Sequence, residues 1–344
     1  MPRAGLSALA VLVLAGCAGT ARHPALSPLP TATVVARGET QAVGTANADA
    51  ADDPAIWRNP ADPAASLIVG TDKQAGLYVY DLAGRQRAFL DAGRVNNVDL
   101  RDMGAPGIIV AASDRNDPLH AKVSLFHLDP ATATLSWFGT FGVGTGEAYG
   151  VCLYRAGARL YAFNVLKDGT ITQLDLSSGA APRIVRTMKL ATQSEGCVVD
   201  DRTHRLYVAE EDVGLWRFDA RPEGSTQPTR IAAADGRQIV ADAEGVAIAA
   251  EGPDNGGYLL VSSQGDNAYA VYRLADDAYV GRFRVAAGTL GSTEQTDGIE
   301  LIVGDFGPAF PGGLFIAQDG INPPSAQNFK LAAWADIKAA LGLR

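Results

Sequence analysis

The sequence predicts an all-β protein, a six-bladed β-propeller whose blades are four-stranded antiparallel sheets. Two observations lead to this fold: long helical periodicity is nearly absent, and short alternating apolar runs recur, each ending in a polar turn. The carboxylates that end the first four runs are Asp81, Asp129, Asp175 and Asp219. They lie about 45 residues apart, which is the length of one four-stranded propeller blade.

Each run alternates as a half-buried strand does. In "GLYVYDLAG", Leu77 and Val79 face one way and the tyrosines beside them face the other. The later runs are "KVSLFHLDP", "TITQLDLSS", "GLWRFDA", "YAVYRLADD" and the looser "GGLFIAQDG". A TIM barrel would need long helices between the strands, so a two-domain sandwich is the alternative fold. Only Ala332 to Leu341, ended by Gly342, is predicted to be helical.

The first 38 residues are expected to lie outside the folded domain. Residues 1–16 combine Arg3 with a short apolar run, as an export signal does. The following "LAGC" resembles the bacterial lipobox, which implies a mature N-terminus at a lipidated Cys17; a signal peptide cleaved elsewhere is the alternative. Residues 17–38 are then a Pro- and Ala-rich tether, and residues 39–344 form one propeller domain. We therefore expect an exported protein whose soluble body is held at the periplasmic or outer-membrane face only by this lipid.

Charge and cysteine content limit which ligands and cross-links the protein is expected to have. The formal net charge of −9 argues against nucleic acid, which requires a basic footprint. Cys152 and Cys197 could pair in an exported protein, or could be small buried hydrophobic residues. The chain has no CxxC motif and its histidines are scattered, so a zinc site is not predicted. We expect a monomer.

Acidic residues recur at the strand ends, and a propeller brings corresponding blade edges together around its central channel. They are Asp52, Asp53, Asp99, Glu195, Glu210, Glu211, Asp212, Asp242, Glu244, Asp297 and Glu300. Converging carboxylates repel one another unless a cation lies among them, and oxygen ligands without Cys or His favour calcium. In "SEGC", "AEGV" and "TDGI" we expect the glycine to turn the backbone sharply and free its carbonyl as a further ligand. Ordinary acidic turns are the alternative.

Basic residues lie among these acids. Lys73, Arg115 and Lys167 each stand beside an Asp near a turn, and Tyr149 adds a hydroxyl. Alone, each base would form a weak surface salt bridge. Together with calcium, they would form a surface that binds a polyanion.

Taken in order, the motifs resemble those of the β-propeller phytases. They are "DAADDPAIW", "NNVDLR", "SEGCVVDD", "LYVAEEDVGLWRF", "GYLLVSSQGDNAYAVY", "TDGIE" and "GLFIAQDG" with the following "QNFK". The resemblance extends from about Glu39 to the C-terminus. It implies a calcium-dependent enzyme, holding several calcium ions, that releases phosphate from phytate (myo-inositol hexakisphosphate) and leaves lower inositol phosphates.

The resemblance also implies individual roles. The implied metal ligands are Glu39, Asp53, Glu195, Glu211, Asp242, Glu244 and Asp297, with Gln264 beside the metal. We add Asp99 as a further candidate metal ligand because it is one of the strand-end acids. The implied phosphate ligands are Lys73, Arg115, Tyr149 and Lys167, and catalysis is expected to depend on Asp53, Glu211, Tyr149 and Lys167. The chain departs from the family in one place. The family usually has a further carboxylate a few residues before "TDGIE", whereas the acid here, Glu294, stands at a different spacing, so one calcium is expected to bind more weakly.

The expected reaction is in-line attack of a calcium-activated water on phosphorus, without a protein nucleophile. The histidine acid-phosphatase motif "RHGxRxP" is absent from the sequence. Two other classes remain open: a calcium-binding propeller lactonase or esterase, and a propeller that binds a partner without catalysis. Release of phosphate compared with opening of a lactone, with and without calcium, separates the three.

Overall fold

Six antiparallel sheets lie in a ring around a central channel, which confirms the predicted six-bladed propeller. The computed structural model describes residue 1 and residues 26–46, 49–177 and 182–344. The proposed signal segment and Cys17 lie outside the described residues. Among those that are described, no helix has both the length and the apolar character needed to cross a bilayer.

The secondary structure is almost entirely β. Two N-terminal strands, β1 (Ala32–Val35) and β2 (Gly38–Glu39), precede the blades. Blade 1 comprises β3 (Ala51–Trp57), β4 (Leu67–Asp72), β5 (Gly76–Asp81) and β6 (Gln86–Asp91), and blade 2 comprises β7 (Val95–Asp102), β8 (Ile108–Asp114), β9 (His120–Asp129) and β10 (Thr134–Thr145). Blade 3 comprises β11 (Ala148–Ala156), β12 (Arg159–Leu166), β13 (Thr170–Asp175) and β14 (Arg183–Lys189), and blade 4 comprises β15 (Ser194–Asp200), β16 (Arg205–Glu210), β17 (Gly214–Asp219) and β18 (Thr229–Ala233). Blade 5 comprises β19 (Ala243–Ala250), β20 (Gly257–Ser263), β21 (Ala268–Arg273) and β22 (Tyr279–Ala286), and blade 6 has β23 (Ile299–Val303), β24 (Gly313–Asp319) and β25 (Asn328–Ala333). Two short 3-10 helices (Pro63–Ala65 and Gln264–Asp266) and one α-helix, α1 (Trp334–Leu341), complete the described elements.

The N-terminal strands join the two ends of the chain. Strand β2 pairs antiparallel with β25 and supplies the fourth strand of blade 6, so the first and last parts of the propeller share one sheet. Strand β1 pairs in parallel with β22 as a fifth strand of blade 5. Ala32–Val35 lies within the segment expected to be a tether; its β-branched residues suit a strand, and the edge of blade 5 gives them a partner.

The repeat in the sequence corresponds to one strand of the blade. Asp81, Asp129, Asp175 and Asp219 end the third strands of blades 1 to 4. In blade 6, however, "GGLFIAQDG" is the second strand, β24, and the third strand is β25. Alternation marks a strand without saying which strand of a blade it is. The predicted C-terminal helix is confirmed as α1, and Gly342 caps it with a φ of 65°.

The hydrophobic core lies between neighbouring blades. Val69 of blade 1 and Val110 of blade 2 share one buried cluster, and Phe163 of blade 3 and Leu206 of blade 4 share another. This packing lets each blade bury a face that it would expose alone. A disulfide bond, Cys152–Cys197, also joins blades 3 and 4, with the two Cα atoms 5.8 Å apart.

Candidate metal and phosphate site

In blades 1 to 5 the innermost strand, which is the first strand of the blade, carries a β-bulge near its N-terminal end. Their register with the second strand shifts between Ala51 and Pro54, Val95 and Val98, Ala148 and Gly150, Ser194 and Cys197, and Ala243 and Val246. The residues within these shifts are Asp52, Asp53, Asn96, Asn97, Tyr149, Glu195, Gly196, Glu244 and Gly245. A bulge breaks strict alternation and re-aims side chains, so polar groups gather at this end of the channel, which we call the site end.

Three glutamates form the centre of the site. One carboxylate oxygen each from Glu195, Glu211 and Glu244 lies within 4.8 Å of the other two, and all three residues are buried. We call these residues the Glu triad. Glu211 Oε1 and Glu244 Oε2 have no hydrogen-bond partner. Burial, followed by the charges of neighbouring carboxylates, raises the pKa of Glu195 and of Glu244 well above the usual value. The unpartnered oxygens and the raised pKa values indicate a position suited to a cation.

Two further carboxylates approach from blades 1 and 6. Asp53 Oδ2 accepts a hydrogen bond of 3.0 Å from the backbone N–H of Val98, and burial together with the charge of Asp52 raises the pKa of Asp53 well above its usual value. Asp297 lies directly before β23 and accepts a hydrogen bond of 2.6 Å from Gln264 Nε2. Burial raises the pKa of Asp297 to about 7.

Lys73 lies among these acids instead of standing free on the surface. Its ammonium is 2.7 Å from Asp297, 2.8 Å from Asp49 and 3.2 Å from Asp52, and only 6% of the residue is exposed. Burial acts to lower the pKa of Lys73, but the charges of Asp52 and Asp297 outweigh it and raise that pKa. Lys73 therefore carries a full positive charge at the edge of the acidic cluster.

Tyr149, Lys167 and Arg115 form the basic side of the site. Lys167 Nζ lies 5.0 Å from the centroid of the Tyr149 ring. Burial raises the pKa of Glu211, and the charge of Lys167 acts in the opposite direction. Burial and the charges of Glu195 and Glu244 raise the pKa of Tyr149, so its hydroxyl keeps its proton. Arg115 Nη1 lies 3.6 Å from Glu147, whose backbone carbonyl accepts a hydrogen bond of 3.1 Å from Lys167 N. The two bases thus stand in adjoining loops.

Asp242 occupies the rim of the cluster. It is half-buried, and burial together with the charge of Asp212 raises its pKa. Its own charge contributes to the raised pKa values of Glu211 and Glu244. The Asp242 side chain is therefore close to the Glu triad but more open to solvent than its members.

Two predicted metal ligands are not brought to the Glu triad. Asp99 forms an ion pair of 2.8 Å with Arg101 and accepts a hydrogen bond of 2.7 Å from Leu153 N. Glu39 forms an ion pair with the buried ammonium of Lys330 and accepts a hydrogen bond from Asn328 Nδ2. Each of these carboxylates has a cationic partner in the protein, as Asp297 has in Lys73, and their role as metal ligands stays a prediction.

The glycines that follow the acids have a different role from the one expected. Gly196, Gly245 and Gly298 do not have positive φ angles, so these positions do not require glycine for a left-handed backbone conformation. A Cβ at Gly196 would collide with the carbonyl oxygen of Glu244, and a Cβ at Gly245 with that of Asp297. Glycine is needed here because the backbones of adjacent blades approach closely.

Sequence reasoning gave no role to two asparagines of blade 2. Asn96 is buried and its Nδ2 donates a hydrogen bond of 2.5 Å to Glu195 Oε1. Asn97 lies beside it in the same bulge. The signal was present in "NNVDLR", because these asparagines begin the innermost strand of blade 2 as Asp52 and Asp53 begin that of blade 1.

Comparisons with known proteins support the fold and the activity. A family model described as Phytase matches residues 3–344. Over 329 residues the chain is 37% identical to a curated 3-phytase of Bacillus subtilis (strain 168), covering 90% of this chain and 85% of that protein. A chain in a crystal structure of the mitotic checkpoint complex is similar with a TM-score of 0.53 at 15% identity, covering 95% of this chain and 85% of that one. At such low identity this last likeness concerns the fold alone.

Proposed function

Since this chain belongs to the phytase family, we propose that it releases inorganic phosphate from phytate in a calcium-dependent reaction centred on the Glu triad. The observation that carries the calcium dependence is the meeting of three buried carboxylates within 4.8 Å, two of which have an oxygen without a hydrogen-bond partner. Buried charges of one sign are costly unless an opposite charge lies among them. The products are inorganic phosphate and lower inositol phosphates.

The donor set of the site fits calcium. The groups around the Glu triad are carboxylate and amide oxygens, namely those of Asp53, Asp242, Gln264 and Asp297. Oxygen donors of this kind, without thiolate or imidazole, are the ligands that calcium takes at a flexible coordination number. We propose that the Glu triad with Asp53, Asp242 and Asp297 holds calcium.

When bound, calcium would supply positive charge against the phosphate oxygens and would acidify the water that attacks phosphorus. We propose that Lys167, whose charge acts on Glu211, and Arg115, in the adjoining loop, bind a phosphate group beside the Glu triad. Tyr149 remains protonated because its pKa is raised, so its hydroxyl can donate a hydrogen bond to a phosphate oxygen. These groups stabilise charge where it develops and orient the ester for in-line displacement, and catalysis needs no covalent bond to the protein.

Lys73 has two roles in this proposal. Its ion pairs with Asp49, Asp52 and Asp297 neutralise part of the acidic cluster before substrate binds. As a phosphate ligand, Lys73 would exchange one of these carboxylates, such as that of the exposed Asp49, for a phosphate oxygen.

We also propose the processing expected from the sequence. Residues 1–16 would be removed, Cys17 would carry a lipid, and the following segment would lead to the propeller. The strand β1 brings the folded part of this segment to the edge of blade 5. The enzyme would then act outside the cytoplasm while remaining bound to a membrane through its anchor.

One assay tests the proposed function. Purified protein is incubated with phytate, and separately with a lactone, in the presence of calcium or of a chelator. We expect phosphate release only with calcium, little lactone opening, and loss of phosphate release in Lys167→Ala. Undiminished phosphate release after chelation would contradict the calcium dependence, and lactone opening without phosphate release would contradict the phytase reaction.

A further inference from the structure

The Cys152–Cys197 disulfide connects two innermost strands that share no hydrogen-bond ladder. Cys152 lies in β11 and Cys197 in β15, and these strands belong to separate sheets. Side-chain packing between blades 3 and 4 would by itself hold the strands together, as Phe163 and Leu206 do farther out in these blades. The bond therefore adds a covalent link to an interface that is otherwise held by packing.

This fixed point lies directly beside the site end. A Cβ on Gly150 would collide with the carbonyl oxygen of Glu195, so these two residues are in close contact across the blade interface. Cys152 and Cys197 each follow by two residues, so the disulfide lies two residues farther along both strands than this contact. The disulfide and the Gly150–Glu195 contact are thus consecutive links between the same two strands.

Both strands have a register shift within four residues of the disulfide, on its N-terminal side. The register of β11 shifts between Ala148 and Gly150, and that of β15 shifts between Ser194 and Cys197. Tyr149 lies within the first shift and Glu195 within the second, so the regular ladders of blades 3 and 4 do not fix these two side chains directly. The covalent link nearest to both bulges is the disulfide.

Two other blade interfaces have a backbone hydrogen bond at this level. Gly245 N donates to Asp297 O at 2.7 Å between blades 5 and 6, and Gly298 N donates to Asp52 O at 3.0 Å between blades 6 and 1. Between blades 3 and 4 the equivalent contact is that of Gly150 with the carbonyl oxygen of Glu195, and the disulfide lies two residues farther along the same strands. The comparison suggests that the strand spacing at the site end is held at several places around the channel.

From this arrangement we infer that the Cys152–Cys197 disulfide is a positioning element, which holds Tyr149 of the phosphate-binding side at a fixed distance from Glu195 of the metal-binding side. The inference rests on the proposed function, because it gives Glu195 and Tyr149 the roles proposed above. Neither cysteine touches the substrate or the reacting atoms. Loss of the bond should weaken calcium binding, because Glu195 would no longer be held in place beside Glu211 and Glu244.

The test compares the protein with a Cys152→Ala/Cys197→Ala double variant. Calcium binding is measured by titration calorimetry well below the melting temperature, and phosphate release is measured over a range of calcium concentrations. We expect calcium affinity to fall about tenfold, as for other groups that orient a metal ligand. We also expect kcat at saturating calcium to remain near that of the parent, since no reacting group has been removed.

A matched control separates positioning from stability. Phe283→Leu removes buried volume in blade 5, away from the site, and should lower the melting temperature without changing calcium affinity. Equal calcium affinities in the parent and the cysteine variant, together with a lower melting temperature in the variant, would overturn the inference but leave the proposed function standing. Absence of calcium binding by the parent itself would overturn both.

Reduction of the parent protein gives the same test without substitution. A dithiol donates two electrons and two protons to the sulfur–sulfur bond, which becomes two thiols while the dithiol closes to its own disulfide. Folded protein with two titratable thiols should show the same loss of calcium affinity, and reoxidation should restore it. Unchanged affinity in the reduced, folded protein would overturn the inference even if the double variant does not fold.

Discussion

Replacing Glu244 by Gln should stabilise the calcium-free protein and destabilise the calcium-bound one. The substitution keeps the size of the side chain and removes one charge from the Glu triad. Without calcium, the repulsion among the carboxylates is relieved. With calcium, a ligand is weakened, so stabilisation by binding decreases. The order of stability of parent and variant should therefore reverse between chelator and calcium.

The structure sets the size of the effect. At the 4.8 Å limit that encloses the triad oxygens, each pair of full charges repels by about 3–4 kcal/mol at an effective dielectric constant of about 20. Glu244 takes part in two of the three pairs. The folded protein can also relieve this repulsion by protonating one carboxyl. At pH 7 protonating a carboxyl of ordinary pKa costs about 3–4 kcal/mol, so the repulsion cannot destabilise the fold by more than that. We expect Glu244→Gln to gain about 2–3 kcal/mol in chelator, which would raise the melting temperature by about 5 °C.

The effect should depend on pH in a defined direction. Because the pKa of Glu244 is raised in the folded protein, the folded state binds more protons than the unfolded state above the ordinary glutamate pKa. The parent therefore loses stability as pH rises from about 4 toward neutrality, and the variant should lose less. Its advantage in chelator should vanish near pH 4 and grow as the pH increases.

The assay is thermal unfolding followed by circular dichroism, in chelator and in excess calcium, at several pH values. Glu223→Gln is the control, because Glu223 is exposed on blade 4 and lies outside the triad. If Glu244→Gln lowers the melting temperature equally in both conditions, the triad carboxylates do not repel one another in the folded protein and the reasoning fails.

Three further predictions concern other parts of the chain. Lys167→Ala and Arg115→Ala should lower phosphate release far more than calcium-dependent stability; full activity in both would refute their phosphate-binding role. Asp53→Ala should retain its β-sheet circular dichroism while losing most activity at limiting calcium, with partial recovery in excess calcium; the parent rate at limiting calcium would show that Asp53 is not needed there. Cys17→Ser should move the protein from the membrane fraction to the soluble one; continued membrane association would refute the lipobox interpretation.

The propeller was predictable because its repeat lies in the local sequence. Each third strand in blades 1 to 4 ends in an aspartate at nearly constant spacing, so alternation and turn residues indicate the same blade unit. The strand β1 was not predictable in the same way. Its four residues form a strand only because blade 5 presents an edge to them, and that edge is contributed by β22, far away in the sequence.

Alternation also predicts part of the site. Side chains alternate along a strand, so adjacent Glu210 and Glu211 should point to opposite sides, and they do so at the end of β16. Glu210 accepts hydrogen bonds from Trp216 Nε1 and the backbone N–H of Thr192, both at 2.7 Å, while Glu211 belongs to the Glu triad. Here one acid stabilises the blade and the other faces the channel, as the period of two residues requires.

Alternation fails inside the bulges, and this explains the remaining differences. Asp52 and Asp53 are also adjacent, yet both are buried near the site end, because the shift between Ala51 and Pro54 removes the usual change of side from one residue to the next. The same geometry accounts for Gly196 and Gly245, which follow acids within bulges. When a bulge turns an acid toward the channel, the next residue meets the backbone of the neighbouring blade, and only glycine leaves enough space. An acid followed by glycine at the start of an innermost strand is thus a sign of close contact between blades. That contact brings carboxylates from separate blades within reach of a single cation.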